Sequence, residues 1–352
     1  MTWSKCDYPR QAGEQLLDAQ KEMRTSTAGD QEELCRLAYV RREFPEWSWS
    51  ASRHRMFSEC RRRYYYHYYA AHNGWEKDAP RLARQAYRLK NLTNLHLTFG
   101  TALHLVAAYI VKQLQSGRDM PSDDDVRDRV RNILNDTYRS AHQNRHLWEM
   151  SPKRHAMLHE VYYEYGPSQN LIDAIKEKLD SCIPHLMASL TLEEIKSAKQ
   201  IVTVDSLDHF HLVETKVYAA PDALYQRSDG TWVIVDWKTG DEDDDYLEQL
   251  RIYALYAKAK HAVNSHELLC RLEYLNSGDY QELAIAEDDL RNTERGIARS
   301  MTAMRSCLLD AVRNEPHPME SFPLRLDRKR CSFCNFYELC QPALEQETTH
   351  AR

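Results

Sequence analysis

Glycine is scarce in this chain of 352 residues; there are ten, and none is followed by Lys. A Gly-rich phosphate loop ending in Gly-Lys is therefore missing, which excludes motor chemistry built on that motif. Long apolar runs are also missing. No window offers about 18 uninterrupted apolar residues, and Met1 to Arg24 holds no apolar signal core. The expectation is a cytoplasmic, reducing setting with no membrane partner. The nine cysteines are an odd number, which suits a disulfide framework poorly. The charge surplus is small, with a formal net charge of -6 that on its face argues against a polyanionic partner. What is present in ordinary amounts is core and surface. Apolar residues at 42% and charged residues at 28% describe a globular chain and exclude a disordered one.

No repeat or low-complexity tract is evident. Residues 1–45 are polar and read as helical with a loose start. Residues 51–90 are basic, with ten Lys/Arg against three Asp/Glu, and include Arg61-Arg62-Arg63 and five tyrosines from Tyr64 to Tyr69. The spacing of Leu103, Val106, Ala107, Ile110 and Leu114 predicts an amphipathic helix over 99–116. Residues 123–200 read as helical, broken at Tyr165-Gly166-Pro167. The pattern then turns to strands. Ile201 to Leu207 and His211 to Ala219 are expected to flank a turn at Asp208-His209, and Ala223 to Gln226 and Thr231 to Asp236 one at Ser228-Asp229-Gly230. A helix over 244–261, a hairpin across Asn276-Ser277-Gly278-Asp279 and a long helix from Asp288 to Asn314 follow. Helices, consecutive strands, a helix and more strands give an α/β core carrying a large helical insertion.

Two acids stand at strand ends in this order, Asp222 after Pro221 and Asp236 within Asp236-Trp237-Lys238. Carboxylates at adjacent strand ends can converge on a hard divalent cation such as Mg²⁺. A Lys two residues after an acid shares its strand face, where it can orient or deprotonate a water activated by the cation. Taken alone, an Asp-x-Lys tripeptide reads equally as a solvated strand end, and His104 as an ordinary core or surface histidine. Gln249 and Tyr253, four apart, can simply pair on a helix face. The acidic run Asp241 to Asp245 reads as a loop and a helix N-terminus.

The ordered set changes this reading. Phe99-Gly100-x3-His104, Pro221-Asp222, Asp236-Trp237-Lys238-Thr239-Gly240 and Gln249-x3-Tyr253 together resemble the PD-(D/E)XK nuclease superfamily, in its RecB-like exonuclease branch. The resemblance implies a restriction-endonuclease-like core, a central mixed sheet flanked by helices. It implies metal ligation by His104, Asp222, Asp236 and the Trp237 carbonyl, with Lys238 catalytic and Gln249 and Tyr253 supporting the site and contacting DNA. An imidazole ligand suits Mn²⁺ as well as Mg²⁺. Glu214 is a weaker candidate for supporting the ligands. One departure from the family pattern is Ala219, where Gly is common. The roughly 120 residues between His104 and Asp222 match the helical insertion.

Cys331-x2-Cys334-x5-Cys340 is a tight thiol trio near the C-terminus, a spacing that points to a metal or cluster. Members of the same branch carry one Cys ahead of the nuclease motifs and three after them, clasping a 4Fe-4S cluster. The resemblance gives Cys60, Cys331, Cys334 and Cys340 that role, a staple joining the N- and C-terminal parts. A structural zinc is the alternative, but a lone Cys roughly 270 residues upstream is unusual for zinc ribbons. The remaining five cysteines read as ordinary thiols. The expected organisation is an N-terminal helical region over 1–98, the His104 helix with the insertion over 99–200, a nuclease core over 201–315 and a cluster segment over 316–352. Arg61, Arg62, Arg63, Tyr64, Tyr65, Arg328, Lys329 and Arg330 flank the thiols and are expected to grip DNA through backbone contact and base stacking.

The resulting expectation is a metal-dependent DNA exonuclease acting on single-stranded ends in repair or recombination, with any unwinding left to a separate helicase. Within the same class the rival is a CRISPR-adaptation or antiviral-defence nuclease working beside partner proteins. From another class it is a catalytically silent, iron-sulfur DNA-binding subunit.

Overall fold

Ser50 opens the described helices by accepting the Arg53 amide, a side-chain cap that starts α1 (Ala51–Glu59). The computed structural model describes residues 41–164, 166–325 and 327–350. Cys6, Cys35 and most of the expected N-terminal helix therefore lie outside the described residues, and 41–45 are irregular. Cys60 separates α1 from α2 (Arg61–Tyr65), which runs on as a π-helical turn over Tyr66–Ala70. Next come α3 (Arg81–Lys90), the short strand β1 (Leu92–Thr93) and α4 (Leu95–Gln115), whose N-cap Asn94 accepts the Leu97 amide.

The insertion is helical, as its sequence implies. It comprises α5 (Asp123–Gln143), α6 (Arg145–Met150), α7 (His159–Glu164), α8 (Gln169–Met187) and α9 (Leu190–Ile195). A short strand that the sequence pattern does not announce, β2 (Met157–Leu158), pairs in parallel with β1. Five strands then build the central sheet: β3 (Gln200–Val204), β6 (Ala223–Gln226), β7 (Trp232–Lys238), β8 (Leu268–Tyr274) and β9 (Asp279–Ala284), in the order β3-β6-β7-β8-β9. Only β7 and β8 run parallel, joined by the crossover helix α10 (Asp244–His261); the sheet is mixed and the architecture α/β. Beside it, β4 (Asp208–Leu212) and β5 (Thr215–Ala219) form a separate hairpin, to which Trp49 adds a parallel bridge at Val217. The chain ends in α11 (Glu287–Arg305), the β10 (Leu308–Asp310)–β11 (Glu315–Pro316) hairpin, α12 (Arg328–Cys331) and α13 (Tyr337–His350).

Strand alternation splits the core into two layers. Val233, Val235 and Trp237 face a layer with Phe99, Leu103 and the insertion helices. Ile234, Leu268 and Leu272 face the opposite layer, with α10, α11, Trp49 and Phe57. The helix read as amphipathic over 99–116 starts earlier and is apolar nearly all round, because it is a core element. It is also the helix among the described residues that is long and apolar enough to cross a membrane by length and composition, yet 61% of its apolar window is buried inside the fold.

Two expectations need correction. Asp208 and His209 are not a turn but the start of β4; the turn is at Val213 (φ 56°) and Glu214. The Asp208 carboxylate accepts Tyr256 Oη at 3.2 Å and the His209 amide at 2.7 Å, which ties this end of the hairpin to α10. Glu214 consequently sits exposed at the hairpin tip, at the far end of β5 from Asp222. The helix expected to reach Asn314 stops at Arg305. The Asp310 carboxylate captures the amides of Val312 and Arg313, and buried Asn314 (φ 55°) donates to Pro45 O at 2.8 Å, so side chains take over from the helical ladder.

Candidate active site

β6 and β7 pair with Ala223 opposite Val235, and the Asp222 amide donates to Val235 O at 3.0 Å. One step further, this antiparallel register sets Asp222 beside the Asp236–Lys238 run. The contact is direct: the Trp237 amide donates to Asp222 Oδ2 at 2.6 Å. Asp222 and Asp236 are buried, at 1% and 0% exposure. From α4, His104 brings Nδ1 to 3.3 Å from Asp222 Oδ1. Helix and strand end meet closely, since a Cβ at Gly100 would come within 3.5 Å of the Thr239 hydroxyl.

Lys238 is held from several sides. Its Nζ forms an ion pair with Asp236 Oδ2, donates to Gln249 Oε1 at 2.8 Å and lies 4.1 Å from the centroid of the Tyr246 ring. Gln249 Nε2 in turn donates to Tyr253 Oη at 2.6 Å. Asp243 caps α10 by accepting the Asp245 amide, as its acidic start suggests. The six residues singled out at this centre thus come together: His104 with Asp222, and Asp236 with Lys238, Gln249 and Tyr253.

Sequence reasoning missed three contributors. Tyr246 carried a signal, because Tyr246, Gln249 and Tyr253 fall at helical spacing on one face. Lys178 of α8 donates to Thr239 O at 2.8 Å and carried none. Glu273 lies opposite Trp237 in the parallel β7–β8 pair. Its buried carboxylate accepts Trp237 Nε1 at 2.9 Å, Ser189 Oγ, and both the amide and hydroxyl of Thr191. The indole between Asp236 and Lys238 is thereby fixed. A cleft of about 280 Å³ adjoins the centre, with Arg55, Gln249 and Arg325 in its wall.

Two buried carboxylates and an imidazole are the donor types a Mg²⁺ or Mn²⁺ ion takes, so the residues fit in kind. As they stand, Asp236 is engaged by Lys238, and no group of three or more His/Cys/Asp/Glu side chains is drawn together for a metal among the described residues.

Cys60, Cys331, Cys334 and Cys340 are free and partly exposed by residue surface. Burial raises the last three thiols, Cys340 up to about 12, and each of these also feels the charge of Cys60. The segments that carry the thiols pack together, Tyr66 Oη donating to Leu339 O at 3.4 Å, without the four being gathered at ligand spacing. Cys60 Sγ meanwhile caps α2 by accepting the Arg63 amide.

The basic, tyrosine-rich segment is less open than its composition suggests. Tyr64 is fully buried against Phe57 and Arg53, which makes it core and removes it as a base-stacking surface. Tyr65 is partly exposed and packs on Phe322 with centroids 4.9 Å apart. Arg61 stacks on Phe57, Arg62 donates to Phe322 O at 2.8 Å and Arg63 pairs with Glu59 at 3.0 Å. Lys329 and Arg330 are exposed, and the side chain of Arg328 lies outside the described set.

A family model described as the PD-(D/E)XK nuclease superfamily matches residues 48–341. No curated protein matches. Among solved structures, one titled "Crystal structure of SSO0001" is similar at 18% identity, covering 58% of this chain and 83% of that chain, with a TM-score of 0.28.

Glu273→Ala is expected to destabilise the chain by about 3 kcal/mol in urea unfolding, because Trp237, Ser189 and Thr191 all lose their buried acceptor. A loss below about 1 kcal/mol would contradict the positioning of Trp237 described above.

Proposed function

The chain belongs to the PD-(D/E)XK nuclease superfamily, and we propose on that footing that it is a metal-dependent DNA exonuclease that hydrolyses phosphodiester bonds at single-stranded ends. The observation that carries this reading is the buried meeting of His104 and Asp222 beside the Asp236–Lys238–Gln249 chain. Asp222, Asp236, His104 and the Trp237 carbonyl would hold Mg²⁺ or Mn²⁺. When bound, the ion supplies charge neutralisation at the scissile phosphate and a lowered pKa for water.

The protein's own groups do the rest. Lys238, held as the ammonium beside Asp236, would donate to the attacking water and orient it, the water's proton leaving to a phosphate oxygen or to solvent. Gln249, itself held by Tyr253, keeps the ammonium aimed. Tyr246 lines the far side of Lys238 and excludes water from it. Lys329 is an exposed cation of the C-terminal segment available to the backbone, and Arg330, also exposed, pairs with Asp327. Unwinding, where needed, falls to a separate helicase.

Cys60, Cys331, Cys334 and Cys340 are proposed to hold a 4Fe-4S cluster. The packing of the segments that carry them supports this, as does the distance in sequence that such a link spans; crosslinks closing long loops restrict the unfolded chain.

The test is cleavage of end-labelled single and double strands with Mn²⁺ or Mg²⁺. Asp236→Ala and Lys238→Ala are expected to lower the rate by at least about a hundredfold. Wild-type, cluster-loaded protein that cuts nothing the variants spare would overturn the enzyme reading. For the cluster, Cys334→Ser is expected to be colourless in the visible region and to melt at lower temperature; full iron content with normal melting would overturn it.

A further inference from the structure

Arg81, Arg84 and Arg88 follow one another on α3 at spacings of three and four, so they share one helix face. With Trp148, Tyr162 and Glu338 they line a pocket of about 440 Å³ between α3, the insertion and α13. None of these residues belongs to the site around Asp222 and Lys238.

The charges in this pocket do not balance. Elsewhere in the chain arginines meet acids, as in Arg127 with Asp180, Arg227 with Glu194 and Arg313 with Glu43. Here the partners are neutral. Arg84 Nη2 donates to the carbonyls of Lys77 and Ala79, and Arg88 Nε to the carbonyl of Glu149 at 2.8 Å. Arg81 is exposed and holds no hydrogen bond or ion pair among the described residues. The two acids on the pocket wall are already engaged. Glu149 pairs with Arg145 at 3.2 Å, and Glu338 accepts Gln85 Nε2 at 2.7 Å and Tyr162 Oη at 2.9 Å. The buried indole N–H of Trp148 also has no acceptor among the described residues. Glu149 is neutralised by Arg145, whereas the partners of Glu338 are neutral and its charge offsets one arginine, so the lining keeps a surplus of two guanidinium groups, a receptor for phosphate oxyanions, which the planar fork matches in pairs.

We propose that this pocket is a second anion site that grips backbone phosphates of a nucleic-acid strand; the choice of a strand as the anion rests on the nuclease reading. Each phosphate neutralised by an arginine releases counterions, so the site leaves a signature in salt dependence.

The test is anisotropy of a labelled single-stranded oligonucleotide over a KCl series in EDTA, where no cleavage occurs. The slope of log K against log salt is expected to become shallower by about 2 in the Arg81→Ala, Arg84→Ala, Arg88→Ala triple variant, and by about 0.7 in Arg81→Ala alone. Arg81→Ala removes no hydrogen bond or ion pair among the described residues, so its melting temperature is expected to stay at the wild-type value. A wild-type slope in both variants overturns the proposal. So does loss of deoxynucleoside monophosphate binding with strand binding unchanged, which would make the ligand a free nucleotide. A shallower slope in a protein that cuts no DNA keeps this site and sinks the nuclease reading; unchanged slopes in an active nuclease do the reverse.

Discussion

The register of β6 against β7 is the constraint on which the site depends. Side chains alternate with period two, so a slip of one residue would send Asp236 and Lys238 to the opposite layer and break the Trp237 amide contact with Asp222. The connecting turn helps to hold that register: Arg227 donates to Thr231 O, Asp229 accepts the Thr231 amide, and Gly230 takes φ 96°, a conformation that side chains resist. Burial on both faces adds to it, because any slip would carry Asp236 and Lys238 into an apolar layer away from their partners.

Around this pairing the sheet carries more buried polarity than a core needs for stability. Arg271, fully buried on β8, is surrounded by Glu194, Glu282, Tyr225 and Thr191. Glu273, two residues on, fixes the Trp237 indole and the start of α9. Such networks are costly unless every member is satisfied, and then they define one arrangement. Here that arrangement docks the helical insertion onto the sheet: α9 onto β6 and β8 through Thr191 and Glu194, α8 onto the end of β7 through Lys178. The insertion is therefore part of the machinery that orients the strand end.

Much of this was legible in the sequence for identifiable reasons. Hairpins closed by Ser228-Asp229-Gly230 and by Asn276-Ser277-Gly278-Asp279 carry local turn chemistry, and the strands they join are found where alternation put them. The helix over 244–261 has its cap and spacing written locally. What was illegible depends on partners distant in the chain. Asp208 is a strand residue because Tyr256 of α10 and the pairing with Ala219 hold it there. Asn314 ends no helix because Pro45 and Tyr69 claim its side chain. Tyr64 looked like a stacking surface and is core, since composition reports aromatic content and not direction. At the site, Asp222, Asp236, Lys238 and His104 were readable as an ordered motif set. Glu273 and Lys178 were not, because their spacing to the motif is set only by the fold.

The central claim is that two buried carboxylates, brought together by strand register, form a divalent-cation site. It is tested most directly by titrating the intact chain with Mn²⁺ and following the resonance of the free ion, with melting temperature recorded in parallel. Wild type is expected to bind, and Asp222→Asn and Asp236→Asn each to weaken binding by at least about tenfold, a loss of about 1.4 kcal/mol, without unfolding. Equal Mn²⁺ affinity in wild type and both folded variants would contradict the account.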